Sequence, residues 1–425
     1  MATLRAFRGL RYTDHAGPIE SLVAPPYDVI SPEMRAELAG QNNHNVVHLT
    51  LPESKDDDRS KFVKYARSAA TLAEWRRDGS MALEVHPSLY RYSQSFTIPG
   101  SSETFTRTQL MALIKVEPYE NGVVLPHEQT FPKHKEDRLR ILEATRAHLE
   151  CIYGLFEDPD RSVHDLITAA PIAKSVSFSS DSVGQKLEVI DDAATIQGLI
   201  ENLADKKVWI ADGHHRYETA VHYRSLQGNK PGMIAEDYMM MALSSMSDPG
   251  LVILPTHRIV ANLPCSEQEL ETKIRSKFNV QKVGNGQLLE KLGQIDQNET
   301  RGIGIALPSG MGLFCTLDRP EDVVGWIDGE GSERLKMLDV SILHHVIFEQ
   351  ILGLSGLDFF SYTRDPEEAL AAVKNGSDAA FLMNPPTVED MRLIALGNEK
   401  MPQKSTYYYP KLLSGLVMWS LGDFV

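Results

Sequence analysis

The stretch that most constrains this chain is Lys207–Arg224, KVWIADGHHRYETAVHYR. Its first part, Val208-Trp209-Ile210-Ala211, is short, β-branched and aromatic, which is the composition of a buried strand. Asp212-Gly213 is a turn pair, and Gly213 can take the positive φ that lets a backbone approach a ligand closely. Tyr217–Arg224 then reads as helix, which sets His214, His215 and Arg216 at a strand end and in a first helical turn. A helix start concentrates N–H donors and partial positive charge. Two imidazoles and a guanidinium placed there describe an anion site, phosphate foremost. The plainer alternative is that Asp212 caps the helix and the basic residues are solvated. Against it, a cation in a first turn opposes the helix dipole by about 0.3–1 kcal/mol, which a bound anion would offset.

Charge narrows the function classes. The chain carries 43 basic and 58 acidic residues, a net −15, which argues against a nucleic-acid binder with a broad basic face. A local basic pocket in an acidic shell suits a small anionic ligand instead. At 425 residues two or three domains are expected. We place the regions at 1–156, 157–262 and 263–425, with the DGHHR unit in the central one. Cys151, Cys265 and Cys315 are far apart and read as free thiols. No secretory signal or membrane-length apolar run is read in the sequence, so a cytoplasmic protein without a membrane partner is expected.

Along the chain, LRAFRGLRYT reads as an opening strand, and Pro25-Pro26 fixes an extended segment before Tyr27 and Asp28. Ser31-Pro32-Glu33 is a helix start running to about Leu38, with Ser31 as cap. Residues 60–78 read as helix, and 89–97 with 105–116 as an antiparallel pair. His127-Glu128 precede Lys133-His134-Lys135 and a helix from about Glu136 to His148. Here Glu128 can serve as a general base in a phosphate-ester site; the alternatives are a helix-capping loop or a metal site of His127, Glu128 and His134. Residues 157–192 read as a boundary or an excursion before the central unit, without a long helix, and Met239–Met241 as adaptable core. LVILPTHRIV, 251–260, reads as one strand ending in His257-Arg258, a second wall for an anion. Residues 339–352 read as an amphipathic helix and 359–396 as strand, helix, strand, helix. Near the end, Lys404, Ser405 and Thr406 offer an ammonium and two hydroxyls to a phosphate.

Taken together, APPYDVIS, LPHEQTF, ADGHHRYETA, LPTHR and MPQKSTYYYPKLLSGLV resemble the bacterial and archaeal family labelled domain of unknown function 1015. More distantly, DGHHR at a strand-to-helix turn is similar to the phosphate-binding turn of the ParB and sulfiredoxin superfamily, and to the version in its free-serine kinases. That resemblance implies a mixed α/β fold, multi-layered, with a ParB/sulfiredoxin-like core and N- and C-terminal elaborations. It implies that Asp212, Gly213, His214, His215 and Arg216 cradle phosphates. The catalytic cysteine of sulfiredoxin has no counterpart, since histidines occupy the region. The early glutamate base of the kinases has no clear counterpart either, and Glu128 or Asp28 can stand in for it.

The expected function is therefore phosphoryl transfer to a small hydroxylated metabolite, with free L-serine the leading acceptor. Arg216, His214 and His215 are expected to hold the phosphate, Asp212 to bind Mg²⁺ or orient a histidine, and Glu128 to take the acceptor proton. His127, His257, Arg258, Lys404, Ser405 and Thr406 are further donor contacts, and the donor is ATP, ADP or pyrophosphate. The competing readings are a ParB-like nucleotide-binding regulator and a metal-dependent phosphoester hydrolase.

Overall fold

The computed structural model describes residues 2–99, 102–130, 132–297, 299–356, 359–402 and 404–424, with backbone only at 132–134. The fold is mixed α/β. The chain forms two compact units, Met1–Pro126 with Thr130–Leu251 and Pro410–Val425, and His127–Gln129 with Val252–Tyr409. The grouping follows contact and differs from the three consecutive regions expected from sequence.

The first unit is built on a nine-stranded sheet. Its order is Val124–Leu125, Val208–Asp212, Ile152–Phe156, Tyr238–Ser245, Thr104–Lys115, Leu89–Thr97, Val183–Ile190 and Lys174–Ser180, with Leu4–Arg5 pairing onto Thr104–Lys115. Ile152–Phe156 and Tyr238–Ser245 run parallel and are buried at every residue, as their apolar runs require. Alternate residues, among them Leu110, Ala112, Ile114, Met239 and Met241, face one core. The helices Ser162–Ala169, Ala193–Leu203 and His214–Leu226 reach that core through Val163, Ile167, Leu199, Leu203, Tyr217 and Ala220. The methionines are packing, as expected. Another cluster in this unit joins Leu72 and Trp75 of helix Val63–Arg77 to Ile141 of helix Pro132–Thr145 and to Ala24 and Met418.

Several local expectations hold. Ser31 Oγ accepts from the Met34 N–H at 3.2 Å and opens the helix Pro32–Gln41. Leu89–Thr97 and Thr104–Lys115 pair antiparallel, Tyr90 opposite Met111. Others do not. Residues 157–192 are no boundary: after a short helix they form the hairpin Lys174–Ser180/Val183–Ile190, which extends the main sheet. Its two turn residues, Asp181 (φ +49°) and Ser182 (φ +62°), both sit in the left-handed region that a two-residue hairpin needs, without the glycine that would announce it. LVILPTHRIV is two strands, Val252–Leu254 and His257–Val260, broken at Pro255-Thr256.

The second unit holds a six-stranded sheet ordered Asn279–Gly284, Met311–Leu317, Arg301–Ala306, Ala379–Met383, His257–Val260 and Phe360–Thr363. Strand, helix, strand, helix over 359–396 is found as Phe360–Thr363, Pro366–Lys374, Ala379–Met383 and Val388–Leu396. The two strands are not neighbours. His257–Val260 lies between them, antiparallel to both, so its residues are interior to the sheet. Ile259, Leu288, Leu292, Ala306, Ala369, Val373, Ala380 and Leu382 form this unit's core.

The first unit's long middle stretch closes on a tight loop. Asp248 accepts from the N–H groups of Thr108 (2.9 Å) and Gly250 (2.7 Å), which lays Gly250 on the strand Thr104–Lys115. A Cβ at Gly250 would overlap the backbone of Thr106 and Arg107. Gly250→Ala is expected to cost about 1–3 kcal/mol of stability, the scale of an overpacked site, read by urea unfolding. An unchanged midpoint would contradict this packing.

Candidate functional site

The site starts from the strand end. Val208–Ala211 is buried, and Gly213 turns the chain with φ +95° into the helix His214–Leu226. A side chain at Gly213 would bring a Cβ within 2.7 Å of Ile152 Cγ2 and 3.0 Å of Arg216 Nη2, so glycine is required on both counts. Asp212 does not cap the helix. Its Oδ1 accepts from Lys411 Nζ at 2.6 Å and its Oδ2 from Arg216 Nη2 at 3.2 Å. Arg216 Nη1 donates to the carbonyl of Cys151 at 2.8 Å. Arg216 thus points back along the strand and fixes Asp212.

Two distant segments complete the cluster. Pro26, at φ −60° and ψ 148°, holds its backbone extended and delivers Tyr27 and Asp28 on a single tight turn, Tyr27–Val29. Ala24 exchanges backbone hydrogen bonds with Ser414, at 2.8 and 3.2 Å, so APPYD and PKLLSG lie side by side. Glu150, buried, accepts from the Tyr27 N–H (3.1 Å), Ser414 Oγ (3.0 Å) and Arg138 Nη1 (3.4 Å). The Arg138 guanidinium carbon lies 3.9 Å from the Tyr27 ring centroid and that of Arg216 6.0 Å, a cationic pair around one aromatic ring.

Electrostatics tie these groups together. Burial works against the Arg216 charge, but Glu150, Asp212, Asp28 and Tyr27 outweigh it and raise its pKa, so it stays a guanidinium. Burial lifts the Tyr27 hydroxyl and the Cys151 thiol well above their usual values, so neither titrates near neutrality. Asp28 differs from both. Crowding by protein raises its pKa first, then the like charges of Asp212 and Glu150, against Arg216 and Lys411. Its side chain still reaches solvent, since the residue is exposed. Burial is the first cause of the rise and Asp212 the second, while the opposing Arg216 and Lys411 each outweigh Glu150; the solvent access moderates the burial contribution. An accessible carboxylate with raised proton affinity is what a general base near neutral pH needs.

His214 is buried and His215 half-buried in the first turn, where the sequence placed them. The remaining expected contacts belong to the second unit. There His127 Nε2 meets Thr406 Oγ1 at 2.8 Å, and Glu128 pairs by backbone with Met401. Ser405 Oγ donates to the Pro402 carbonyl. Lys404, at φ +55°, sets its ammonium 4.5 Å from the Tyr362 ring centroid. His257 accepts from the Met383 N–H at 3.2 Å. Burial and the Arg258 charge pull its pKa down to about 4, so at neutral pH it brings no positive charge to a phosphate. The side chain of His134 lies outside the described residues. Among the described residues no group of three His, Cys, Asp or Glu is placed to hold a metal. The Mg²⁺ role expected of Asp212 does not fit: both its oxygens already face cations, Lys411 and Arg216. Lys411, Glu150, Arg138 and Ser414 were given no role from sequence, because nothing local sets residue 411 beside residue 212.

The fold and this cluster define a mixed α/β protein with a charge-compensated strand-turn-helix centre. A family model described as "Protein of unknown function (DUF1015)" matches residues 4–341, and the chain belongs to that family. No curated protein matches it. Among solved structures, a mutant free serine kinase in complex with ADP is 12% identical with a TM-score of 0.36, over 73% of this chain and 92% of that one. A conserved hypothetical protein from Pyrococcus furiosus is 13% identical with a TM-score of 0.34, over 74% and 97%. C-terminally truncated SbnI from Staphylococcus aureus is 11% identical with a TM-score of 0.35, over 72% and 86%. Among the described residues no helix is long and apolar enough to cross a membrane.

Glu150 is the keystone of the buried charges. Both it and Arg138 have side chains only 6% exposed. Arg138 keeps Asp137 at 2.6 Å, so Glu150→Ala is expected to destabilise the fold by about 1–3 kcal/mol, the scale of buried donors left unsatisfied, measured by denaturant unfolding. A loss under about 1 kcal/mol, the scale of a surface pair, would show that Arg138 does not depend on it.

Proposed function

We propose that the first unit is a phosphotransferase site for a small hydroxylated metabolite, with free L-serine the leading acceptor and a nucleotide or pyrophosphate as donor. The observation that carries the reading is the convergence of Asp28, Asp212, Arg216 and Lys411, from three distant motifs, on one strand-to-helix turn. The resemblance of DGHHR to the phosphate-binding turn of the free-serine kinases supports the donor class.

In this reading the helix start at His214 and His215, with Lys411 and Arg216 behind it, meets the donor phosphate. Asp28 receives the proton of the acceptor hydroxyl as its oxygen bonds to phosphorus. The bond from phosphorus to the donor's bridging oxygen breaks, and that oxygen leaves with the shortened donor. Asp28 takes over the base role first given to Glu128, because it shares the unit and the electrostatic field of Asp212. Arg216 acts mainly by holding Asp212, and Lys411 supplies a second positive charge beside it.

Phosphorus NMR of the full chain with ATP, ADP or pyrophosphate in turn, with and without L-serine and Mg²⁺, tests this. An O-phosphoserine signal that requires both donor and serine is expected. Asp28→Asn should lower turnover about 10²–10⁴-fold, the span of a lost general base. Lys411→Gln should lower it roughly 10–100-fold, as for one charge-assisted hydrogen bond. Failure of every donor to yield a phosphomonoester would overturn the reading; full activity in Asp28→Asn would overturn the base.

A further inference from the structure

The helical part of the first unit forms an open cavity of about 490 Å³, within the roughly 300–1,000 Å³ of small-molecule sites. It shares no lining residue with the Asp212 cluster. One wall is a single face of the helix Val63–Arg77 and the residue after it, where Arg67, Thr71, Glu74 and Asp78 recur at three- and four-residue spacing. Another wall comes from Arg35 of the helix Pro32–Gln41 and from the loop that carries Glu53 and Lys55. The two arginines build the rim. Arg35 donates to the Leu51 carbonyl at 3.1 Å and pairs with Glu53 at 3.0 Å. Arg67 donates to the Glu53 carbonyl at 2.5 Å and pairs with Asp58. The Lys55 N–H donates to Asp58 at 2.9 Å, which fixes residue 55 at the Arg67 end. At the other end Asp78 accepts from the Ser80 N–H at 2.8 Å and lies 3.8 Å from His44. His48 also lines the cavity; burial, then Arg35, lower its pKa, so it adds no charge at neutral pH.

Two charges of the lining stay uncommitted. Lys55 and Glu74 are both exposed, and among the described residues the side chain of neither makes a hydrogen bond or an ion pair. Lys55 acts on Asp58 only as a charge ranked behind Arg67. Seven residues separate Arg67 from Glu74, about 10 Å of helix rise, so the cavity has a cationic end at Lys55 and an anionic end at Glu74, with Asp78 one turn on. We infer that this cavity binds a small dipolar metabolite of the amino-acid class, its carboxylate at Lys55 and its ammonium at Glu74.

Opposite charges that line one cavity without pairing are what such a ligand bridges, whereas a singly charged ligand satisfies one end only. A single uncommitted cation suits one carboxylate; a polyphosphate needs several. Between the two ends lie the half-buried Thr71, a hydroxyl for a polar substituent, and Trp75, whose ring stands 5.4 Å from that of His44 and gives the ligand's carbon chain an apolar floor. The site stands apart from the phosphotransfer reading and does not rest on it.

Ligand-detected proton NMR titration of the full chain at pH 7 and constant ionic strength tests the site, with glycine, 4-aminobutanoate and 6-aminohexanoate as dipolar probes and butylammonium and butanoate as singly charged controls. Saturable binding of a longer dipolar probe, tighter than that of glycine and of both controls, is expected, because the two charges of glycine are too close to reach both ends. Lys55→Gln and Glu74→Gln should each weaken it about three- to tenfold, between the scales of an exposed ion pair and a charge-assisted hydrogen bond. Both residues are exposed, so neither substitution threatens folding. No binding, dipolar probes no tighter than the controls, glycine as tight as the longer probes, or binding that neither substitution changes would overturn the inference. Binding lost in Lys411→Gln and kept in Lys55→Gln would assign the probe to the Asp212 cluster and overturn it as well, leaving the phosphotransfer reading to its own assay.

Discussion

A guanidinium held inside a protein must be surrounded by its counter-charges, and the first unit is arranged around that requirement at Arg216. Its pKa stays high only because Glu150, Asp212, Asp28 and Tyr27 together outweigh the penalty of burial. Those partners come from an N-terminal turn, a mid-chain segment and the strand end itself. The C-terminal segment adds Lys411 on Asp212 and Ser414 on Glu150. The charge network thus explains why the last residues of the chain fold with the first.

The same balance gives the site its chemical direction. Asp28, Asp212, Glu150 and Asp137, the last at 2.6 Å from Arg138, stand against Arg138, Arg216 and Lys411, so the cluster carries one net negative charge when every group is ionised. The group that can relax this balance is Asp28, whose proton affinity burial raises first and the neighbouring Asp212 second. A phosphate arriving nearby would raise it further. Accepting a proton from a hydroxyl then becomes easier at the moment the donor is in place, which suits phosphoryl transfer without any mobile element.

Local chemistry made the strand-turn-helix at Asp212–Arg216 legible. The apolar run, the glycine and the helix-forming tail each act within a few residues, and Gly213 has the positive φ they imply. The Ser31 cap was legible for the same reason. What sequence did not show was non-local. Lys411 meets Asp212 across 199 residues, and Glu150 meets Ser414 across 264. The hairpin at Asp181-Ser182 was hidden because neither turn residue is glycine, and the strand over 251–260 was broken by a proline that its apolar run masked. The grouping of His127–Gln129 with the second unit was likewise not legible in the sequence. Nor does the sequence show the two cations, Lys411 and Arg216, that face the oxygens of Asp212.

We propose Asp28 as the base of a site organised by Asp212 and Arg216. Its most direct test is the titration of the Asp28 carboxyl, followed by carbon NMR of γ-carboxyl-labelled aspartate, with Asp28→Asn assigning the resonance. The account requires a pKa clearly above the ordinary carboxylate value of 3.8 that falls when Asp212 is replaced by Asn. A value at or below the ordinary one, unmoved by Asp212→Asn, would contradict it.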